Sequence, residues 1–213
     1  MTGVVYLHGL ASSPNSRKAA YFRRLLDAAG IAIDVPELDQ GDFEHLTISG
    51  QLAAVERAAA GRPVALIGSS LGGYLAALYA ARHPEVSRLV LLAPAFGFAT
   101  EWPERLGPEA MEEWRRTGSR EVLHYADARM RPIGYGLLED RQRYEAAPNF
   151  VQPALIFHGD RDEVVPVSLS REFAAEHPNV VLEVVPDGHE MLDMLESIGP
   201  RAVDFLLRSL KLN

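Results

Sequence analysis

The chain has 213 residues, 47% of them hydrophobic and 23% charged, which fits one soluble globular domain with a substantial buried core. A net charge of −8 argues against a nucleic-acid or anionic-membrane partner, since both select for basic surface. The absence of cysteine excludes disulfides, thiolate metal sites and a cysteine nucleophile.

The opening MTGVVYLHGLASS has neither a basic start nor a long apolar core, so no signal peptide is expected. No apolar run approaches the ~18 residues of a membrane span, and a cytoplasmic location is the default expectation.

Short apolar runs alternate with longer segments of helical character. VVYL (4–7) precedes a helix in SRKAAYFRRLLDAAG, with Ala20, Phe22, Leu25 and Leu26 on one face and Gly30 as the stop. IAIDV (31–35) ends at Pro36, and TISGQLAAVERAAAG (47–61) reads as helix despite Gly50. PVALIG (63–68) leads into LGGYLAALYAARH (71–83), and RLVLLAP (88–94) closes a third such unit. Beyond residue 150 come PALIFHG (153–159), a helix near 168–177, VVLEVV (180–185) and an amphipathic helix over about 192–211. The six runs are rich in Val, Ile and Leu and barely alternate, as parallel strands buried on both faces do. The pattern predicts a doubly wound α/β domain whose site lies beyond the carboxyl ends of its strands.

Residues 96–150 break the alternation. They carry both tryptophans, many charges and no strand-like run, and helical pieces are predicted around 108–117 and 137–146. An insertion of this size between core strands reads as a lid or cap on a single domain spanning 1–213. Phe96, Phe98, Trp102 and Trp114 are candidates to line a substrate pocket beneath it; packing of the insertion on the core explains aromatics there equally well.

The stretch ALIGSSLGGYLAALYA (65–80) places two serines at a strand-to-helix junction. Ser69 has Ile67 and Leu71 two residues away, whereas Ser70 has Gly68 and Gly72 and so satisfies G-x-S-x-G. A nucleophile on so sharp a turn needs glycine at both places, because side chains there would collide with strand and helix. The same turn aims the Leu71 amide and the start of the next helix at the reacting centre. A phosphate loop is the alternative use of glycines here, but it needs a lysine that this stretch lacks.

A serine nucleophile needs a base, and the base needs an orienting acid. His189, in PDGHEML at the exit of the last strand, has the right context among the seven histidines. The loop FHGDRDEVVP offers Asp160, Asp162 and Glu163, and spacing does not choose between Asp160 and Asp162. His158 sits beside this acid loop and reads as its support. The loop YLHGLASSP supplies a second oxyanion donor: Gly9 lets the backbone turn, so that the Leu10 amide can face the site.

In GSSLGG, YLHG, HGDRDEVVP and DGHE the chain resembles an α/β-hydrolase, and the likeness extends over essentially its whole length. YLHGLASSPNSRKA followed by LIGSSLGGYLA resembles more narrowly the small bacterial esterases of the YqiA type. It is similar also to the mitochondrial acyl-glucuronide esterase and palmitoyl-protein thioesterase of the α/β-hydrolase-domain group. The family pattern H-G-x-x-D-x-x-V-P falls on His158, Gly159, Asp162, Val165 and Pro166, so the resemblance implies Asp162 as the acid. It implies a minimal sheet in the order 2-1-3-4-5-6, a triad of Ser70, Asp162 and His189, and Leu10 and Leu71 as oxyanion donors. The activity implied is hydrolysis of a small-molecule carboxylic ester or thioester, with no cofactor and no metal. The rival readings are a ligand-binding scaffold on the same fold and a serine peptidase.

Overall fold

The computed structural model describes residues 3–208, with side chains described at all of these except 99–102. Six parallel strands form the sheet: β1 (Gly3–Leu7), β2 (Ile33–Asp34), β3 (Val64–Ser69), β4 (Leu89–Leu92), β7 (Ala154–Gly159) and β8 (Val180–Val185). They lie in the order β2-β1-β3-β4-β7-β8, which is the expected 2-1-3-4-5-6 once the insertion is set aside. β2 is only two residues long, much shorter than the run IAIDV suggested.

Alternate residues of the strands feed two cores. Val5, Leu7, Leu66, Leu91 and Ile156 face one side, where α2 (Ile48–Ala59), α3 (Leu71–Ala80) and α7 (Val167–Glu176) cover them. Val4, Tyr6, Ile67, Val90 and Phe157 face the other, under α1 (Arg17–Ala28) and α8 (Leu195–Leu207). Both faces are thus covered by helices, which is why the strand sequences lack polar alternation.

Local chemistry sets the helix boundaries. Ser16 caps α1 by accepting from the Ala19 amide, and Gly30 takes a φ of +71° just past its end. The buried face of α1 is Ala19, Phe22 and Leu26, with Tyr21 beside it; Ala20 and Leu25 are only partly buried. Gly50 does not weaken α2, because it sits in the first turn and donates its N–H to the capping hydroxyl of Thr47 at 3.0 Å.

Between β4 and β7 the chain forms α4 (Phe98–Leu106), α5 (Pro108–Thr117), an antiparallel hairpin of β5 (Ser119–His124) and β6 (Arg129–Gly134), and α6 (Gly136–Arg141). The second helix matches the expectation; α6 is shorter than the expected piece; the hairpin overturns the expectation of no strand. Its turn, residues 125–128, has no glycine, and Ala128 itself adopts a φ of +53°. Pro132 lies within β6, and the strands are mixed with charge, so neither turn nor strand signal was present. No helix among the described residues is long and apolar enough to cross a membrane.

The tightest constraint in the fold is the junction of β1, β3 and α3. A Cβ added to Gly68 would lie 2.3 Å from the carbonyl oxygen of Gly72, and one added to Gly72 would lie 2.1 Å from that of Leu7. Both contacts are with backbone, which has no rotamer to yield. Gly72→Ala is expected to destabilise the fold by about 1–3 kcal/mol, as overpacking of a tight interior does. Gly136→Ala, which meets nothing within 4 Å, should stay within about 0.5 kcal/mol of the parent. Urea unfolding followed by circular dichroism reads both.

Candidate active site

Chain order and spatial order of the strands diverge between β1 and β3, because β2 pairs on the outer side of β1. At such a switch point the loops after the two strands splay apart and leave a crevice. Here they are the loop after Leu7 and the turn at Ser70. A Cβ on Gly9 would come within 3.4 Å of the Ser70 Cβ, so glycine lets the two loops close on each other.

Ser70 adopts φ 53°, ψ −119°, a conformation that costs a non-glycine residue of order 1–3 kcal/mol. Surrounding hydrogen bonds hold it there. The Ser70 amide donates to the Leu92 carbonyl at 2.9 Å, and its carbonyl accepts from Gly73, Tyr74 and Ala95 amides at 2.9, 3.2 and 3.0 Å. The hydroxyl is thereby lifted off the sheet into the crevice.

Ser70 Oγ lies 2.9 Å from His189 Nε2, and His189 Nδ1 lies 2.8 Å from Asp162 Oδ2. A carboxylate can only accept, so Nδ1 carries the hydrogen and Nε2 is left to accept from the serine hydroxyl. These three residues are 92 and 27 positions apart in the chain and are brought together by the ends of β3, β7 and β8.

Asp162 is held on all sides. Its Oδ1 accepts from the Val164 and Val165 amides, each at 2.8 Å, and its side chain is fully buried. His158 Nε2 stands 3.2 Å from Oδ2 and 2.9 Å from the Val165 carbonyl, while its Nδ1 lies 2.8 Å from Ser170 Oγ. Since the Val165 carbonyl can only accept, Nε2–H donates and the Ser170 hydroxyl donates to Nδ1. His158 therefore supports the acid loop, as its sequence position suggested. Burial alone would raise the Asp162 pKa, but hydrogen bonds from His158, His189 and Val165, with the positive potential of His189, hold it well below the usual carboxylate range. Asp160 is exposed and lies against Arg161, and the acid bonded to His189 is Asp162. Asp187 accepts from the Gly188 and Met194 amides and so shapes the turn that carries His189.

On the other side of the serine, the Gly9 carbonyl accepts from His8 Nδ1 at 3.0 Å and from the Ser12 amide at 3.3 Å. In a trans peptide the next N–H points the opposite way, so these bonds fix the direction of the Leu10 amide. Neither the Leu10 nor the Leu71 amide has an acceptor among the described residues. Burial lowers the His8 pKa, which keeps its ring neutral and able to accept from the Leu38 amide. Ala11, with a φ of +56°, is tied through its carbonyl to the Tyr125 amide at 2.9 Å, so the hairpin turn braces this loop.

A cavity of about 650 Å³ opens over Ser70 and His189 and is lined also by Leu10, Leu71, Phe96 and Phe98. Trp114 is a correction to the expected lining set. It is 1% exposed, donates from its indole N–H to the Ile133 carbonyl at 3.0 Å and packs edge-on against Tyr135. Its ring holds α5 to the hairpin instead of meeting the cavity. The side chain of Trp102 lies outside the described residues.

The low pKa of Asp162 has a consequence for stability. A carboxyl whose folded pKa lies below its unfolded value of 3.8 stabilises the fold above that value. The contribution is lost as pH falls through the lower folded pKa. The stability gap between the parent and Asp162→Asn, read by urea unfolding, should therefore shrink as the pH falls below about 4.

Residues 3–207 match the family described as "Uncharacterised protein family (UPF0227)". The pimeloyl-[acyl-carrier protein] methyl ester esterase of Xanthomonas oryzae pv. oryzae is 30% identical over 191 residues, covering 74% of this chain and 76% of that protein. Among solved structures, alpha/beta hydrolase domain-containing protein 10 from mouse superposes with a TM-score of 0.82 at 22% identity, over 98% of this chain and 90% of that one. Est1E from Butyrivibrio proteoclasticus, solved with ferulic acid bound, gives a TM-score of 0.76 at 23% identity, over 99% and 90%. With the sheet order and these likenesses together, the chain belongs to the UPF0227 family and is an esterase-related enzyme of the α/β-hydrolase fold.

Proposed function

We propose that the protein hydrolyses small-molecule carboxylic esters and thioesters through a covalent acyl-enzyme on Ser70. The observation that carries this reading is the unbroken chain of hydrogen bonds from Ser70 through His189 to Asp162. As Ser70 Oγ attacks the carbonyl carbon, its proton passes to His189 Nε2 and the carbonyl π electrons move onto oxygen. Asp162 keeps the imidazole in the tautomer that can accept this proton and stabilises the imidazolium that results. The Leu10 and Leu71 amides face the developing oxyanion, where losing one such donor costs about 3 kcal/mol. The tetrahedral species then collapses, the ester C–O or thioester C–S bond breaks, and His189 returns the proton to the departing alkoxide or thiolate. Water repeats the sequence on the acyl-serine, and the acid leaves with Ser70 restored.

Residues 96–150 act in this reading as a lid on the single domain. Phe96 and Phe98 contribute apolar lining for the acyl or alcohol group, and the hairpin turn covers the oxyanion loop. The methyl ester named for the Xanthomonas relative is one substrate of the proposed class.

Ser70→Ala should reduce turnover of p-nitrophenyl butyrate by about 10⁴-fold or more. Asp162→Asn should cost about 10⁴-fold in kcat, because the wrong tautomer of His189 then faces the serine. Asp160→Asn should leave kcat near the parent value, and the reverse ranking would show that the acid is misassigned. A fluorophosphonate should label Ser70 in the parent and not in His189→Ala. An unlabelled parent would favour a ligand-binding scaffold over an enzyme.

A further inference from the structure

The proteins' excess of acid does not extend into the cavity. Apart from His189, its charged lining is three cations, Arg17, Lys18 and Arg105, against one acid, Glu190. Arg17 and Arg105 are exposed at the rim, and the Arg105 guanidinium is bonded to the Val164 carbonyl. Lys18 is different: it is half-buried and reaches the wall formed by the His189 loop, where its Nζ donates to the Glu190 carbonyl at 2.9 Å.

Three features make this ammonium unusual. It is one of only two lysines in a chain that otherwise uses arginine for its cations. It stands at the second position of α1, beside Arg17 at the first, where the helix macrodipole disfavours positive charge; no acid occupies that turn. An ammonium has three N–H donors, and the Glu190 carbonyl takes one of them. Burial lowers its pKa, opposed by the charges of Glu190, Asp162 and Asp187. A cation kept in a partly dry wall, against the local helix field and with donors to spare, has a reason to be there if an anionic group completes its coordination.

We infer that Lys18 selects substrates for this site: the ester it favours carries a carboxylate, which the Lys18 ammonium receives inside the cavity while the ester carbonyl meets Ser70. The inference rests on the esterase reading above and gives it a substrate class, monoesters of dicarboxylic acids. A compact ammonium suits a carboxylate approaching end-on, whereas the two rim arginines supply long-range attraction.

The test compares kcat/KM for monoethyl esters of the dicarboxylic acids from succinate to pimelate with ethyl esters of the corresponding neutral acids. The parent should favour the anionic ester by about tenfold or more at one chain length at least. That ratio should collapse in Lys18→Met and in Lys18→Gln, and persist in Lys18→Arg. A parent with no such preference overturns the inference. So does an equal loss on both substrate sets in the variants, which would make Lys18 only a latch for the Glu190 carbonyl. If the parent turns over no ester at all, the esterase reading fails by itself. The inference is then decided by calorimetry of monoethyl adipate on Ser70→Ala: binding weakened about tenfold by adding Lys18→Met upholds it, and unchanged binding or no binding overturns it.

Discussion

The site depends on one close approach. The start of α3 passes so near the end of β1 that Gly72 has only 2.1 Å between its missing Cβ position and the Leu7 carbonyl oxygen. Gly68 faces the same helix from the other side at 2.3 Å. That pinch forces the intervening residue into a left-handed, strained conformation and carries its side chain above the sheet. The strain is sustained because four backbone hydrogen bonds on Ser70 over-determine the turn. A looser packing of α3 on β1 would let Ser70 relax and would move its hydroxyl out of reach of His189.

From that pinch outward, the arrangement is governed by groups that can act in only one sense. The Asp162 carboxylate accepts and cannot donate, so it sets the tautomer of His189. The Val165 carbonyl does the same for His158, which in turn braces Asp162. Gly9 gives a carbonyl to His8 and Ser12 and thereby commits the direction of the Leu10 amide. Each of these is a local hydrogen bond of about 1 kcal/mol net, but in a buried network a wrong tautomer would leave a polar atom unpaired, which costs more. The geometry is preorganised by this asymmetry.

The insertion plays a different part. Trp114, buried on the hairpin, spends its area on holding α5 and β6 together, while the cavity wall comes from Phe96, Phe98 and the turn around Tyr125. The hairpin also contacts the loop after β1 through the Ala11 carbonyl, so the insertion and the carboxyl end of the sheet are joined by hydrogen bonds. Lys18, tied to the carbonyl of the residue that follows His189, adds a charged donor to the cavity wall.

The sequence by itself determined the sheet and the turn. Strands buried on both faces must be apolar throughout, so PVALIG, RLVLLAP and PALIFHG announce themselves, and G-x-S-x-G admits Ser70 and rejects Ser69. His189 was legible from its place after the last strand, and Asp162 only once the family pattern was laid over the loop. The hairpin was not legible, because Ala128 takes the positive φ that a glycine would have advertised and Pro132 sits inside a strand. Nor was the fate of Trp114, since an aromatic side chain buries the same area against a hairpin as against a ligand. Lys18 was visible only as a letter in an amphipathic helix. Its bond to the Glu190 carbonyl spans 172 residues, and no local pattern encodes a partner at that distance. Periodicity and turn chemistry act over a few residues and are written in the chain; which remote groups meet across a cavity is decided by the packing of whole elements.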